Sequence, residues 1–436
     1  MITEAPLKID IRTPLKWMTV GGPGLLVMLS DTDAGNVVTG SQAGAQWGYR
    51  LLPLVLLLIP MLYMVQELTV RLGIYTGRGF GEMVRERFGI WWAGAATVAL
   101  VVAAIGTLVT QFTGIAGIGE LYGVPRGITL PFASVALLSV VATGSYRRVE
   151  RTLVVVGLFE LAFFFVAWAA HPSLATMGKD VIDLPIANHQ FTFLVAAIIG
   201  AVFSPWMIFY QQSAFADKKL SPDDIGTARW DTAIGAVLTQ CLTGAILIAA
   251  AAALASHRAS PGLHSVGEIS NELSPLLGER VGRLVFSVGV LGASMVAAIV
   301  SSLALTWGVG EFTGHRRSLE RQPFGTKWFY GVYAISVVGA ATLVWFAPDL
   351  VWLTLAAQVM NVFLLPLVIV LLVALAVKVL PRSLRPRGIY LWSLIGISSI
   401  VLAVGLVGAV SVQHLTVNGQ PQLATHLRAA PSSLLH

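Results

Sequence analysis

Apolar residues run along this chain in long stretches, each cut short by a small cluster of charged or turn-forming residues. A helical run of about 18 or more apolar residues is long enough to cross a hydrocarbon layer of about 30 Å. Reading such runs off the sequence predicts eleven spans, near 17–46, 51–73, 91–121, 127–145, 152–170, 190–214, 230–255, 280–308, 327–347, 350–378 and 388–411. The longest polar stretches are 171–189, 256–279 and the tail after 412. The pattern predicts an all-α polytopic membrane protein.

Composition strengthens that reading. Of 436 residues 56% are hydrophobic and 11% charged, with a mean hydropathy of +0.78; soluble domains carry about 25% charged residues. The whole chain, 1–436, is expected to form a single membrane domain: a cytoplasmic segment 1–16, repeats over 17–170 and 190–378, an extra helix 388–411 and a tail 412–436. The polar start, Met1 to Lys16, lacks the short apolar core and small-residue cleavage pattern of a signal peptide. A lone cysteine, Cys241, allows no internal disulfide and reads as a buried packing residue.

The net charge of +6 changes the picture only through its distribution. Basic residues sit in short loops between spans, which argues against a nucleic-acid partner and makes the lipid bilayer the expected one. With the N-terminus in the cytoplasm, that side holds 21 of the 28 Lys and Arg residues, and the positive-inside rule then fixes the orientation. The expected placement is a bacterial-type cytoplasmic membrane with the C-terminus external. No oligomer is implied.

Two spans are not plain helices. The first holds Ser30-Asp31-Thr32-Asp33-Ala34-Gly35-Asn36 between apolar flanks, and the sixth holds Phe203-Ser204-Pro205-Trp206 at its centre. Such breaks survive in a membrane only where they are buried in protein or line a cavity. Spans 1 and 6 occupy matching positions of two five-span halves, and paired interruptions of this kind point to a transporter site between inverted repeats. A mid-span carboxylate costs a few kcal/mol unless it is paired, solvated or bound to a cation. Asp33 and Asn36 together offer hard oxygen ligands; Asp33 alternatively caps the second half-helix. Asp31 adds a second carboxylate that either joins the site or pairs elsewhere. Trp47, Tyr49 and Trp91 read as interfacial anchors. Gly308-Val309-Gly310 lies inside a span without nucleotide-fold spacing, and no P-loop, zinc-protease motif or catalytic triad accompanies it, so no enzymatic role is expected.

These residues bear a family resemblance. The stretch from Gly22-Pro23-Gly24 through Asp33-Ala34-Gly35-Asn36 to Gly48-Tyr49 resembles the first span of the Nramp family of divalent-metal transporters, which has Asp-Pro-Gly-Asn at the break. Arg71-Leu72-Gly73-Ile74-Tyr75-Thr76-Gly77 is similar to the family's RLGxxTG signature, and Ala357-Gln358-Val359 through Pro366 to its SQV…LP pattern. The resemblance implies a leucine-transporter-like 5+5 inverted repeat plus one extra helix, with no cofactor and a transported divalent ion. It assigns ligand roles to Asp33, Asn36, the carbonyl of Ala201 and, on closure, Gln358. Asn361 lies three residues after Gln358, on the same helical face, and is either a site residue or an interhelical hydrogen bonder.

Departures from the family pattern bear on substrate and coupling. Where the family carries Ala-x-x-Met-Pro-His, this chain has Ala201-Val202-Phe203-Ser204-Pro205-Trp206, so a soft thioether gives way to a hydroxyl at Ser204. Oxygen ligands and water suit magnesium, calcium and manganese, and magnesium keeps several waters. Magnesium is therefore the expected ion, manganese the second. The family's acidic positions in span 3 fall on Leu108 and Gln111, and its span-6 histidines on Trp206 and Gln211. All eight histidines lie outside the predicted spans or at their ends, which predicts transport without proton coupling. Glu67 and Glu160 remain as ionisable groups at membrane depth, each a proton shuttle or a neutral or hydrogen-bonded buried acid. Alternatives are a proton-coupled manganese or iron carrier and an amino-acid or organic-solute symporter on the same fold; Asp33 opposes the latter by repelling a substrate carboxylate.

Overall fold

The first apolar run folds as two helices, α1 (Pro23–Leu29) and α2 (Ala34–Trp47), separated by the four residues 30–33. Pro23 suits the first turn of α1 because its missing N–H is not needed there. Asp33, extended at φ −88°, ψ −179°, ends the break and caps α2 by accepting the Asn36 N–H at 2.8 Å. In the computed structural model residues 22–142, 146–254, 263, 265–315 and 327–417 are described, with backbone alone for 146–151 and 411–417. The polar ends lie outside these residues, as do Arg258, Arg316, Arg317 and Arg321, four of the 28 Lys and Arg residues counted for the orientation.

The remaining elements follow in order. They are α3 (Leu52–Thr76), α4 (Phe80–Phe88), α5 (Ile90–Leu121), α6 (Arg126–Ala142) and α7 (Tyr146–Gly157), then a 3-10 segment (Leu158–Leu161) and α8 (Ala162–Ala169). After α9 (Leu174–Asp180) the sixth predicted span appears as α10 (His189–Val202) and α11 (Pro205–Asp217). The chain continues with α12 (Ile225–Ala253), α13 (Val266–Leu273), α14 (Glu279–Thr313), α15 (Lys327–Phe346), α16 (Leu350–Val379) and α17 (Gly388–Val417). Among the described residues nine helical stretches are long and apolar enough to cross a membrane, counting the α10–α11 and α7–α8 runs as one each. The shorter α6 and the broken α1–α2 pair account for the other two predicted spans.

Packing places the breaks at the centre. The long helices α5 and α14 lie against each other, and α16 packs along α5. On the other side α12 backs both halves of the first span and α3, while α10 leans on α16 and α17. The outward faces of α6, α15 and α17 expose Phe132, Ile335 and Trp392, as helices facing hydrocarbon do. Three short helices, α4, α9 and α13, are too short to register as apolar runs. Trp91 is exposed as an anchor would be, but Tyr49 is buried and Trp47 packs edge-on against Phe191 with ring centroids 5.3 Å apart. Cys241 is half-buried rather than buried.

Candidate ion site at the two helix breaks

In both broken spans the chain leaves one helix and enters another, through a turn ending at the extended Asp33 in the first and through two extended residues in the second. At the second break Phe203 (φ −119°) and Ser204 (φ −111°) are extended, and Pro205 opens α11. Pro205 also removes the N–H that the Ala201 carbonyl, four residues earlier, would accept in a continuous helix. The second break thus frees the Ala201 carbonyl inside the bundle.

Asp33 is held by two N–H donors. Its Oδ1 accepts the Asn36 N–H, and its Oδ2 accepts Gln111 Nε2–H at 2.6 Å. The same Gln111 receives the Ala34 N–H on Oε1 at 3.2 Å, and its amide nitrogen also donates to the Thr107 carbonyl and the Thr110 hydroxyl. Gln111, itself held by Thr107 and Thr110, is therefore the residue of α5 that grips the first break. Each carboxylate oxygen of Asp33 retains further acceptor capacity. The capping role of Asp33 is realised.

Asn36 donates its Nδ2–H to the Asp31 carbonyl, while its Oδ1 is completely buried without a hydrogen-bond partner. Asp31 turns toward α12, where the Thr239 hydroxyl lies 3.5 Å from Oδ2 and 2.6 Å from the Thr32 hydroxyl. Thr239 is a site neighbour with no sequence signal beyond a hydroxyl in an apolar helix.

Helix α16 joins the two breaks. Asn361 Nδ2 donates to the Gly200 carbonyl at 3.0 Å, the Ser204 hydroxyl at 2.9 Å and Gln358 Oε1 at 3.2 Å. Its Oδ1, like that of Asn36, is buried and unpartnered. Gln358 passes close to both broken spans, with its side chain against Gly35 and its backbone against Gly200, where only glycine fits. A Cβ on Gly35 would fall 1.7 Å from Gln358 Nε2 and 2.9 Å from Asp33 Oδ1, and one on Gly200 would fall 1.8 Å from the Gln358 carbonyl oxygen. Gln358 and Asn361 thus lie at the same place as Asp33, Asn36, Ala201 and Ser204, and all seven residues singled out from the sequence are at most 5% exposed.

Buried polar oxygens are nearly always hydrogen-bonded, and an exception calls for an explanation such as an ion or water. Two orphan amide oxygens, a freed carbonyl, a hydroxyl and a carboxylate give a donor set of hard oxygens, suited to a hydrated cation. Among the described residues no group of three or more His, Cys, Asp or Glu side chains is placed to hold a metal; amides and carbonyls predominate instead. The positions where the resemblance expected acids and histidines hold other chemistry. Leu108 is buried in the core, and Trp206 is buried without a partner for its ring N–H. Gln211 donates to the Thr232 hydroxyl at 2.8 Å. Glu67 is hydrogen-bonded and paired: Arg71 Nε and Arg229 Nε each lie 2.5 Å from Oε1, and the Tyr390 hydroxyl donates to Oε2 at 2.8 Å.

An all-helical bundle with matching breaks around a buried polar centre defines a membrane transporter of the leucine-transporter-like 5+5 architecture. Residues 24–413 match the family described as natural resistance-associated macrophage protein-like, so the chain belongs to the Nramp family, whose members are transporters and not enzymes. It is 28% identical over 317 residues to the divalent metal cation transporter MntH of Yersinia enterocolitica, covering 70% of this chain and 74% of that protein. Among solved structures, the Eremococcus coleocola manganese transporter superposes with a TM-score of 0.71 at 16% identity, over 95% of this chain and 89% of that one. MHP1, a nucleobase-cation-symport-1 family transporter, matches with a TM-score of 0.57 at 14% identity, over 89% of this chain and 90% of that one. These two likenesses show the fold.

Proposed function

We propose that this protein imports a hard divalent cation, magnesium in preference to manganese, through an oxygen-lined site between the broken spans and without coupling to protons. Asp33 is the anionic ligand, Asn36 supplies an amide oxygen and Ala201 a carbonyl. Ser204 holds a water near the ion, Gln358 and Asn361 complete the sphere from α16, and Asp31 adds charge from the start of the break. The observation that carries this reading is the pair of buried, unpartnered amide oxygens on Asn36, just past the first break, and on Asn361, whose Nδ2 donates to Ser204 at the second. A transported ion with part of its water shell supplies the positive partner that these oxygens lack.

Three further points support the finer reading. The donor set contains no sulfur, which favours magnesium or manganese over later transition metals. Gln111, at a position where the resemblance expects an acid, is an amide committed to Asp33. The membrane potential alone drives a divalent ion inward with about 4.6 kcal/mol per 100 mV. The related MntH and manganese transporters support the divalent class and make manganese the competing ion. The orientation stays as read from the loop charges, in a bacterial-type cytoplasmic membrane with the N-terminus inside.

Ion-dependent thermal stabilisation of the detergent-purified chain tests the site. Magnesium and manganese are each expected to raise the melting temperature of the wild type and to leave Asp33→Ala unmoved. An equal shift in Asp33→Ala would place the ion elsewhere.

A further inference from the structure

Helix α11 runs from the second break to Asp217, on the side of the bundle where α1 and α12 begin. Its residues 205–216 are all buried, so the helix fills the interior between the break and that side. Aromatic pairs hold its middle. Phe209 lies edge-on to Phe80 of α4, and Tyr210 stacks on Trp307 of α14, with ring centroids 4.8 and 5.4 Å apart. Apolar contacts have no preferred direction, whereas the end of α11 away from the break is fixed by directional bonds. Gln212 Nε2 donates to the Arg78 carbonyl at 3.1 Å, and the Ser213 hydroxyl donates to Glu311 Oε1 at 2.6 Å, a short bond of the hydroxyl–carboxylate kind.

Glu311 stands in the last turn of α14 and is 4% exposed. Its Oε2 accepts the N–H of Gly81, in the first turn of α4, at 2.8 Å. One carboxylate therefore joins three helices. Helix α4 belongs to the first of the two halves read from the sequence, and α11 and α14 belong to the second. Alternating access on this architecture moves one repeat or bundle against the rest around a fixed site, and a carboxylate bonded to both halves resists that motion until a bond breaks. Beside it lies a cavity of about 690 Å³, with Arg78, Asp217, Glu311 and His315 among its lining residues. Ser213 is thus placed along α11 between the break at Ser204 and the cavity at Asp217.

We infer that Glu311 is a latch on the inner part of the transport path: its bonds to Ser213 and Gly81 hold α11 in place and keep the breaks shut off from the cavity. The inference rests on the reading of the breaks as the ion site. Glu311 touches no ion in this role; it is a positioning residue that acts through α11.

The test uses the full-length chain in proteoliposomes with Cys241→Ala as background. One cysteine replaces Met207, which is 1% exposed in the first turn of α11. Its labelling by a membrane-impermeant maleimide is followed from the N-terminal side and, separately, from the opposite side. Ser213→Ala removes only a hydroxyl and is expected to speed labelling from the N-terminal side roughly tenfold, with no rise from the other side. Glu311→Leu should do at least as much, and the double variant no more than Glu311→Leu alone, because both act through one bond. Unchanged labelling in Ser213→Ala and Glu311→Leu would overturn the inference. So would equal acceleration from both sides, the mark of a merely loosened bundle, or effects that add in the double variant. Saturating magnesium or manganese is expected to slow labelling in the parent chain, since Met207 lies three residues from Ser204. No slowing, with the one-sided effect of Ser213→Ala intact, would contradict the ion-site reading rather than the latch.

Discussion

The half-helix α1 is seven residues long, too short to be stable alone, and a single side chain on another helix holds its N-terminus. Oδ2 of Asp231, buried on α12, accepts the N–H groups of Gly22, Gly24 and Leu25 at 3.1, 2.9 and 3.1 Å. Pro23 has no N–H, and Leu26 already donates to the Gly22 carbonyl at 2.7 Å, so these three bonds satisfy every donor of the first turn that the helix cannot satisfy itself. In Asp231→Ala the three donors lose their acceptor. Each buried unsatisfied donor costs about 1–3 kcal/mol, and loss of the buried carboxylate's own desolvation cost offsets part of the sum. A net loss of about 3 kcal/mol in the docking of α1 is expected, which is roughly a hundredfold rise in the population with α1 released. The assay places one cysteine at the fully buried Val27, replaces Cys241 with alanine and follows labelling by a membrane-impermeant maleimide from the N-terminal side. Labelling should be slow with Asp231 present and about two orders of magnitude faster in Asp231→Ala, with Asp231→Asn between because a neutral acceptor is roughly half as strong. Unchanged labelling in Asp231→Ala would refute the argument that this carboxylate docks α1.

Two other substitutions test neighbouring networks. Gln111→Glu replaces the amide that donates to Asp33 Oδ2 with a second carboxylate, and two such groups in hydrogen-bond contact share one proton. Ion binding then has to displace that proton, so affinity for magnesium is expected to fall as the medium is acidified, whereas the wild type stays flatter in the same titration. Glu67→Gln leaves Arg71 and Arg229 without their shared buried counter-charge. A loss of up to about 3–5 kcal/mol is expected, less in so far as Arg229 reaches water, and appears as an early thermal transition in detergent.

Much of this arrangement was legible in the sequence, because a membrane punishes irregularity. Apolar runs marked all eleven spans, and the polar sequences around Asp33 and Ser204 stood out against them as breaks. Gln358 and Asn361, amides on one face of an apolar helix, stood out for the same reason. Partnerships were not legible. Gln111 grips Asp33 from 78 residues away, and Asp231 caps a turn more than 200 residues earlier. Asp231 stands at the edge of its span, where an acid reads as an ordinary loop residue. Glu160 was visible as a mid-span acid, but the 3-10 turn that carries it is marked by no proline.

The most direct measurement is ion flux into proteoliposomes under an imposed inside-negative potential, with magnesium and manganese tested separately and internal pH followed in parallel. Magnesium entry without matching acidification, lost in Asp33→Ala, is the expected result. Manganese entry with acidification and no magnesium entry would contradict both the hard-ion preference and the uncoupled mechanism.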